Sequence, residues 1–315
     1  MKSGSKVVLH GGFHKTATSH IQAILGRNSK RLLREGVFYV NHRNTRKRLT
    51  IPIQCNVYNA LGMDWDPKIS DAELHALTAN FFGELYSTGA RRIILSDENM
   101  AGHCGHCVKR GVLYRWRRKL LEVFAAQFPA GVHEVHLGIR NYADFFASAY
   151  VEYLRSVRGQ WFVDERAMRR QVIENMPNWH NVLQSVVTLF PGARIVVWRY
   201  EDFAQLDQRI LSNLAGPDVD VSIFKPPKYS NKRPTASGRA VDELLQLIHR
   251  HGADVALPQR VALQEQFPRG EIFGSYDPWA QEERTHLTRI YARDVAAIRE
   301  NPQIELLDPN ALGHC

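Results

Sequence analysis

The sequence has no apolar run close to the roughly 20 residues that a membrane helix needs. Its first segment, Met1 to Gly12, lacks the apolar centre of a secretory signal, since Val7–Leu9 is far too short. A soluble cytoplasmic protein without stable membrane insertion is the expectation. Cysteine is scarce: Cys55, Cys104, Cys107 and Cys315 are the only four in 315 residues. So few exclude a disulfide scaffold, and reduced thiols are expected. Internal repeats, low-complexity tracts and a recognisable linker are also missing. The chain therefore reads as a single domain, 1–315, with a core over about 5–250 and a helical C-terminal extension over 251–315; an oligomer is compatible with it. Acidic residues are outnumbered, 32 against 41 Lys and Arg, for a formal charge of +9. The basic clusters, Arg27–Arg34, Arg43–Arg48, Lys109–Lys119 and Lys225–Arg239, sit on separate elements. That dispersal favours a few anion pockets over one nucleic-acid stripe, the alternative for each cluster being a solvated surface. The aromatic–basic alternation of single-strand binders is absent, so no nucleic-acid partner is expected.

What is present is an alternation of buried strands and amphipathic helices. Apolar β-rich runs occur at Lys6–His10, Val37–Val40, Arg92–Ser96, Glu134–Ile139 and Arg194–Trp198. Between them Ile21, Ile24, Leu25, Leu32 and Leu33 form one helical stripe, and further helices are expected at Asp71–Tyr86, Leu113–Phe128, Asn141–Arg155 and Trp179–Phe190. A stiff loop follows at Lys225–Ser237, then helices at Gly238–His251 and about Ala280–Arg299. The fold class is α/β: a P-loop-like three-layer fold with a central parallel sheet flanked by helices, plus a helical C-terminal part.

The segment Val7-Val-Leu-His-Gly-Gly-Phe-His-Lys-Thr-Ala-Thr-Ser-His-Ile-Gln22 carries the chemistry. A strand runs into two glycines, a lysine, three hydroxyl residues and a helix. Glycine lets the backbone turn sharply and approach a ligand. Thr16, Thr18 and Ser19 stand where helix caps belong, and the free amides and dipole of a helix start attract an anion. Lys15 adds a full charge, so the segment suits a phosphate or sulfate ester. A Walker A loop, G-x-x-x-x-G-K-[ST], would need glycine where Leu9 and His14 stand, which disfavours an ordinary ATPase or GTPase.

His14-Lys15-Thr16-Ala17-Thr18-Ser19 resembles the 5′-phosphosulfate loop of sulfotransferases that use 3′-phosphoadenosine-5′-phosphosulfate (PAPS), above all their bacterial carbohydrate-type branch. The likeness continues through Gln22 and into Arg34-Glu-Gly-Val-Phe-Tyr39. Ala17 replaces a usual glycine and Ser19 a threonine; alanine tolerates helical angles, which are expected at that position. The resemblance implies that residues 14–19 bind the donor, which leaves as PAP, and that no metal is required. It also implies that Arg140, ending a strand, and Ser148, eight residues on, bind the donor's 3′-phosphate. Arginine offers a fork matched to phosphate oxygens. Ser148 lies about 10 Å along a helix from Asn141, so such a phosphate would sit beside the helix rather than at its tip. The loop Lys228–Ser237 resembles the family's closing loop, with Lys232 and Arg233 as further contacts.

Sulfuryl transfer needs a lysine-like cation at the leaving phosphate, which suits Lys15, and a base for the acceptor's proton. Glu98, in Ser96-Asp-Glu-Asn99 after the third strand, stands where α/β sheets place ligands. Asp97 or Glu98 is equally placed to cap a helix or pair with an arginine. His103 is the second candidate, ahead of His14 and His20. Cys104 and Cys107, interleaved with His103 and His106, make one C-x-x-C without a second cluster, so no metal is expected. Acceptor loops are expected at Arg43–Asp66, Ala101–Gly111 and Arg158–Pro177. The expected acceptor is a small molecule or glycan bearing a hydroxyl or amine, a carbohydrate or glycolipid above all, with the basic balance and Trp65 and Trp161 suiting a sugar, an acidic one included. The alternatives are a P-loop small-molecule kinase and a non-enzymatic anion or nucleic-acid binder.

Overall fold

The computed structural model describes residues 4–228 and 235–313. Six parallel strands form one sheet in the order β2-β3-β1-β4-β5-β6. They are β1 (Lys6–Gly12), β2 (Val37–Val40), β3 (Arg92–Ser96), β4 (Glu134–Ile139), β5 (Arg194–Arg199) and β6 (Ile304–Leu306). The first five match the apolar runs of the sequence. β6 is three residues long, too short to leave a periodic signal, and pairs with β5 at Ile195, Val196 and Val197. The strands read as continuous apolar runs because helices cover both faces.

Successive strand residues point to opposite layers. Val8, Ile94, Val196 and Trp198 meet α1 (Thr18–Arg27), α2 (Ser29–Arg34) and α10 (Phe203–Ala215). Val7, Leu9, Ile93, Leu95, Val135 and Val197 face the other layer. That layer contains α3 (Ile51–Ala60), α4 (Asp71–Ser87), α5 (Cys104–Arg110), α6 (Arg117–Ala126), α7 (Tyr142–Ser156), α8 (Glu165–Asn175) and α9 (Trp179–Leu189). The C-terminal part supplies α11 (Gly238–His251) and α12 (Gln281–Glu300). Asp294 of α12 accepts hydrogen bonds from the Tyr142 hydroxyl and from the Trp179 amide at 2.6 Å, which pins α7 and α9 together. Among the described residues no helix is long and apolar enough to cross a membrane.

Several local expectations are corrected. The single stripe through Leu33 breaks at Asn28, whose side-chain amide donates to the carbonyls of Ile24 and Lys225. The second half is rephased, and Leu33 ends up 49% exposed. The helix expected from Leu113 begins at Arg117, since Gly111 and Tyr114 adopt positive φ in the preceding turn. The three expected acceptor loops contain α3, α5 and α8. Residues 42–60 are helical throughout, with a π-helical turn at Arg46–Thr50. Buried Leu49, Ile53 and Val57 drive that helix, beneath a basic run that reads as solvated loop.

Candidate functional site

The helix after β1 crosses one face of the sheet and the connections after β3 and β4 cross the other, which opens a crevice at the strands' carboxyl ends. The cleft there has a volume of about 2080 Å³. His14, Lys15, Ala17, Thr18 and Ser19 line it from the β1–α1 loop. Glu98 and His103 line it from the segment after β3, and Arg140 and Ser148 from β4 and α7. Lys232 and Arg233 lie outside the described residues.

The loop is built on an unusual backbone. Gly12, Phe13, Lys15 and Ala17 all have positive φ, at 56°, 49°, 65° and 66°. Gly12 has no alternative, because a Cβ there would come within 2.2 Å of the Thr18 hydroxyl. Left-handed residues alternating with ordinary ones at 13, 15 and 17 turn successive amides toward one side, an anion-binding nest. Among the described residues the amides of Lys15, Ala17, Thr18 and Ser19 donate to no protein acceptor. Ala17 is therefore left-handed, not helical as assumed from the sequence; the glycine usual in the resembling loop would sit there without strain. The buried Thr16 hydroxyl donates to the carbonyls of Gly12 and Phe13 at 2.7 and 2.8 Å, and Thr18 to Phe13 at 3.0 Å. Those two hydroxyls brace the loop, and of the two residues only Thr18 lines the cleft. Gly138 of β4 accommodates this brace, since a Cβ would lie 2.8 Å from Thr16 Cβ.

Lys15 Nζ lies 3.2 Å from Glu152 of α7, which also pairs with Arg155 at 3.3 Å. Glu152 escaped the sequence reading; it is one helical turn after Ser148, and that spacing was the available signal. His14 is fully engaged. Its amide donates to the Tyr114 hydroxyl at 3.0 Å, which frees the hydroxyl proton for His14 Nδ1 at 3.1 Å. Asn99 donates through Nδ2 to Asp97, so its Oδ1 accepts from His14 Nε2 at 3.1 Å. Burial lowers the His14 pKa, and this network holds a neutral imidazole protonated on Nε2.

The carboxylates after β3 pair with an arginine, the alternative left open by the sequence. Arg46 Nη2 lies 2.6 Å from Asp97 and 2.7 Å from Glu98, and Gln22 donates to the second Glu98 oxygen at 3.1 Å. Burial pushes the Glu98 carboxyl up, but Arg46 outweighs it and the carboxyl is held down at about 2. Burial, with His14 and His106 nearby, lowers His103 to about 3. Its ring stacks on Trp65 at 5.9 Å, and its ring nitrogens have no hydrogen-bond partner among the described residues.

Arg140 immediately follows β4. Its guanidinium lies 4.3 Å from the Tyr200 ring, Nη1 donates to the Lys15 carbonyl at 3.0 Å, and its buried Nε has no partner. Ser148 shares the cleft, and its hydroxyl has no partner among the described residues. Cys55, Cys104 and Cys107 are free thiols, and burial pushes Cys104 up to about 12. Cys315 lies outside the described residues. Among those described, no three His, Cys, Asp or Glu side chains are grouped as a metal site.

No family model and no curated protein matches the chain. Among solved structures, a sulfotransferase from Alicyclobacillus acidocaldarius is similar at 12% identity with a TM-score of 0.40, over 84% of this chain and 96% of that one. The architecture itself is an α/β fold with a central six-stranded parallel sheet flanked by helices.

Proposed function

We propose that the chain is a sulfotransferase, moving a sulfuryl group from PAPS to a hydroxyl or amine of a small molecule or glycan. The observation that carries this reading is the contact between Arg140 and the Lys15 carbonyl. It joins two anion-seeking groups, an amide nest with a lysine and a guanidinium with a spare buried donor. A 5′-phosphosulfate and a 3′-phosphate on one nucleotide need such a pair. The unpartnered Arg140 Nε, the free Ser148 hydroxyl and the undonated loop amides fit the donor's two anionic ends.

In the transfer, an acceptor oxygen or nitrogen bonds to sulfur, the bond from sulfur to the phosphate oxygen breaks, PAP leaves and the acceptor's proton passes to a base. Lys15 and the loop amides stabilise charge gathering on the leaving phosphate. Glu152 holds Lys15 in place and competes with the donor for it. For the base, the geometry favours His103 over Glu98. Both Glu98 oxygens are committed, to Arg46 and Gln22. His103 is neutral and has its ring nitrogens available, and an arriving anionic donor raises its basicity. Glu98 is then the charge that orients Arg46 and offsets the proton on His103.

The P-loop kinase reading is the weaker one. In a Walker loop the hydroxyl after the lysine serves Mg²⁺, whereas here Thr16 is fully buried and does not line the cleft. Calorimetry with PAP in metal-free buffer and with ATP–Mg²⁺ separates the two. PAP binding that weakens by about tenfold or more in Arg140→Ala is the expected result. Metal-dependent ATP binding with no PAP binding overturns the proposal.

A further inference from the structure

Charge in the cleft does not balance. Every carboxylate in its wall is already in an ion pair: Asp64 with Lys68, Glu98 with Arg46, Glu152 with Lys15, and both Asp144 and Asp277 with Arg284. Lys109, Arg110, Arg115, Arg158 and Arg269 line the same cleft, and none has an ion-pair partner among the described residues. None of these five is in the donor site described above. Burial, with Arg110 close by, lowers the Lys109 pKa, as expected of a crowded cation lacking a counter-charge.

Aromatic planes stand among these cations. Trp65, Trp116 and Trp161 line the cleft. Lys109 Nζ is 5.0 Å from the Trp161 ring and the Arg115 guanidinium 4.9 Å from Trp116. Trp161 is 56% exposed, so a large flat face is left to solvent. Unpaired cations around an open indole face suit a ligand with repeated negative charge and flat, partly apolar rings. Two polymers fit that description, acidic glycans and single-stranded nucleic acid. The tryptophans decide between them. Stacking successive bases needs a row of open aromatic faces, but Tyr58 and His103 lie against Trp65 and Arg115 lies over Trp116, which leaves Trp161 as the open one of the three, enough for a sugar ring.

We propose that the acceptor is an acidic oligosaccharide, with its carboxylate or sulfate groups met by Lys109, Arg110, Arg115, Arg158 and Arg269 and a ring face by Trp161. This rests on the sulfuryl-transfer reading for the chemistry and on the cleft wall alone for the ligand class. Calorimetry on the full chain, with and without saturating PAP, tests it with four probes: hexagalacturonate, a chondroitin sulfate hexasaccharide, maltohexaose and a dodecamer of deoxythymidylate. At least one acidic hexasaccharide is expected to bind about tenfold or more tighter than maltohexaose. That binding should weaken about tenfold in Lys109→Ala and in Arg115→Ala, the factor of one charge-assisted hydrogen bond, with PAP affinity unchanged. Trp161→Ala should weaken both acidic and neutral sugars. Maltohexaose binding as well as the acidic probes, no response to the two cation variants, or no binding of either acidic probe would each overturn the proposal. Tighter binding of the deoxythymidylate would overturn it in favour of nucleic acid. Acidic-sugar binding without PAP binding sinks the donor reading and leaves this one standing; the converse does the reverse.

Discussion

Lys15, the cation proposed to meet the donor, has its ammonium facing Glu152 in this structure. A cation already paired is cheaper to keep in a partly buried wall than a bare one, so Glu152 pre-positions the lysine at the cost of competing with the donor. The proposed base is the other question at the scale of individual side chains. His103→Ala should lower kcat by about 10²- to 10⁴-fold with PAP affinity nearly intact, the usual size of a lost general base. Glu98→Gln should cost less than His103→Ala and should raise the KM for the acceptor, by loosening Arg46. Single-turnover rates of the two variants check this, and a larger loss in Glu98→Gln returns the role of base to the carboxylate. That Lys15 and Arg140 line the cleft was legible because each follows a strand end marked by an apolar run, whereas Ser148, two turns into α7, was expected there only from the family resemblance. Arg46 and Glu152 were not. They come from a helix disguised as a basic loop and from a turn of α7 with no motif of its own, and only the packing of helices on the sheet brings them to the strand ends.

At the scale of elements, the β1–α1 loop concentrates the backbone strain. Non-glycine residues in the left-handed region cost on the order of 1–2 kcal/mol each, and three of them fall within five positions. Ala17→Gly keeps the amide and removes one of those costs. It should raise stability by up to about 1 kcal/mol in thermal or urea unfolding; a loss of stability would show that the loop is not left-handed at 17. The strands were readable since both faces are buried, which makes each a continuous apolar run. The long helices were readable from their stripes. Breaks within helical stretches were the hard part. Asn28 interrupts one by donating its side chain to Lys225, almost two hundred positions away in the chain, and no local pattern encodes that partner.

Across the whole molecule, buried histidines set the response to acid. Burial holds His10 and His103 at about 3, while unfolded histidine titrates near 6.5. Between those values the unfolded chain binds protons that the folded one refuses, so stability rises with pH there and falls on acidification. Each such group contributes about 1.4 kcal/mol per pH unit within the window. Glu98 and Glu134, both held at about 2, add a loss that starts only below about 4.3. Unfolding free energy should therefore begin to drop near pH 6.5, two units earlier than carboxylates alone would cause. His10→Asn should shallow the slope between pH 6 and 4 by about one proton; an unchanged slope would mean that His10 is not buried neutral.

β6 has a consequence for how the chain is made. Until residues 304–306 emerge, the outer edge of β5 carries unpaired backbone donors and acceptors. The whole segment 200–303 must be synthesised while that edge stays open, and an open edge is a template for any extended strand in its neighbourhood. A nascent chain would then depend on a chaperone for longer than its five-stranded centre suggests. A chain stopped short of Ile304 should collect in aggregates, even though every residue of the cleft's loops is present.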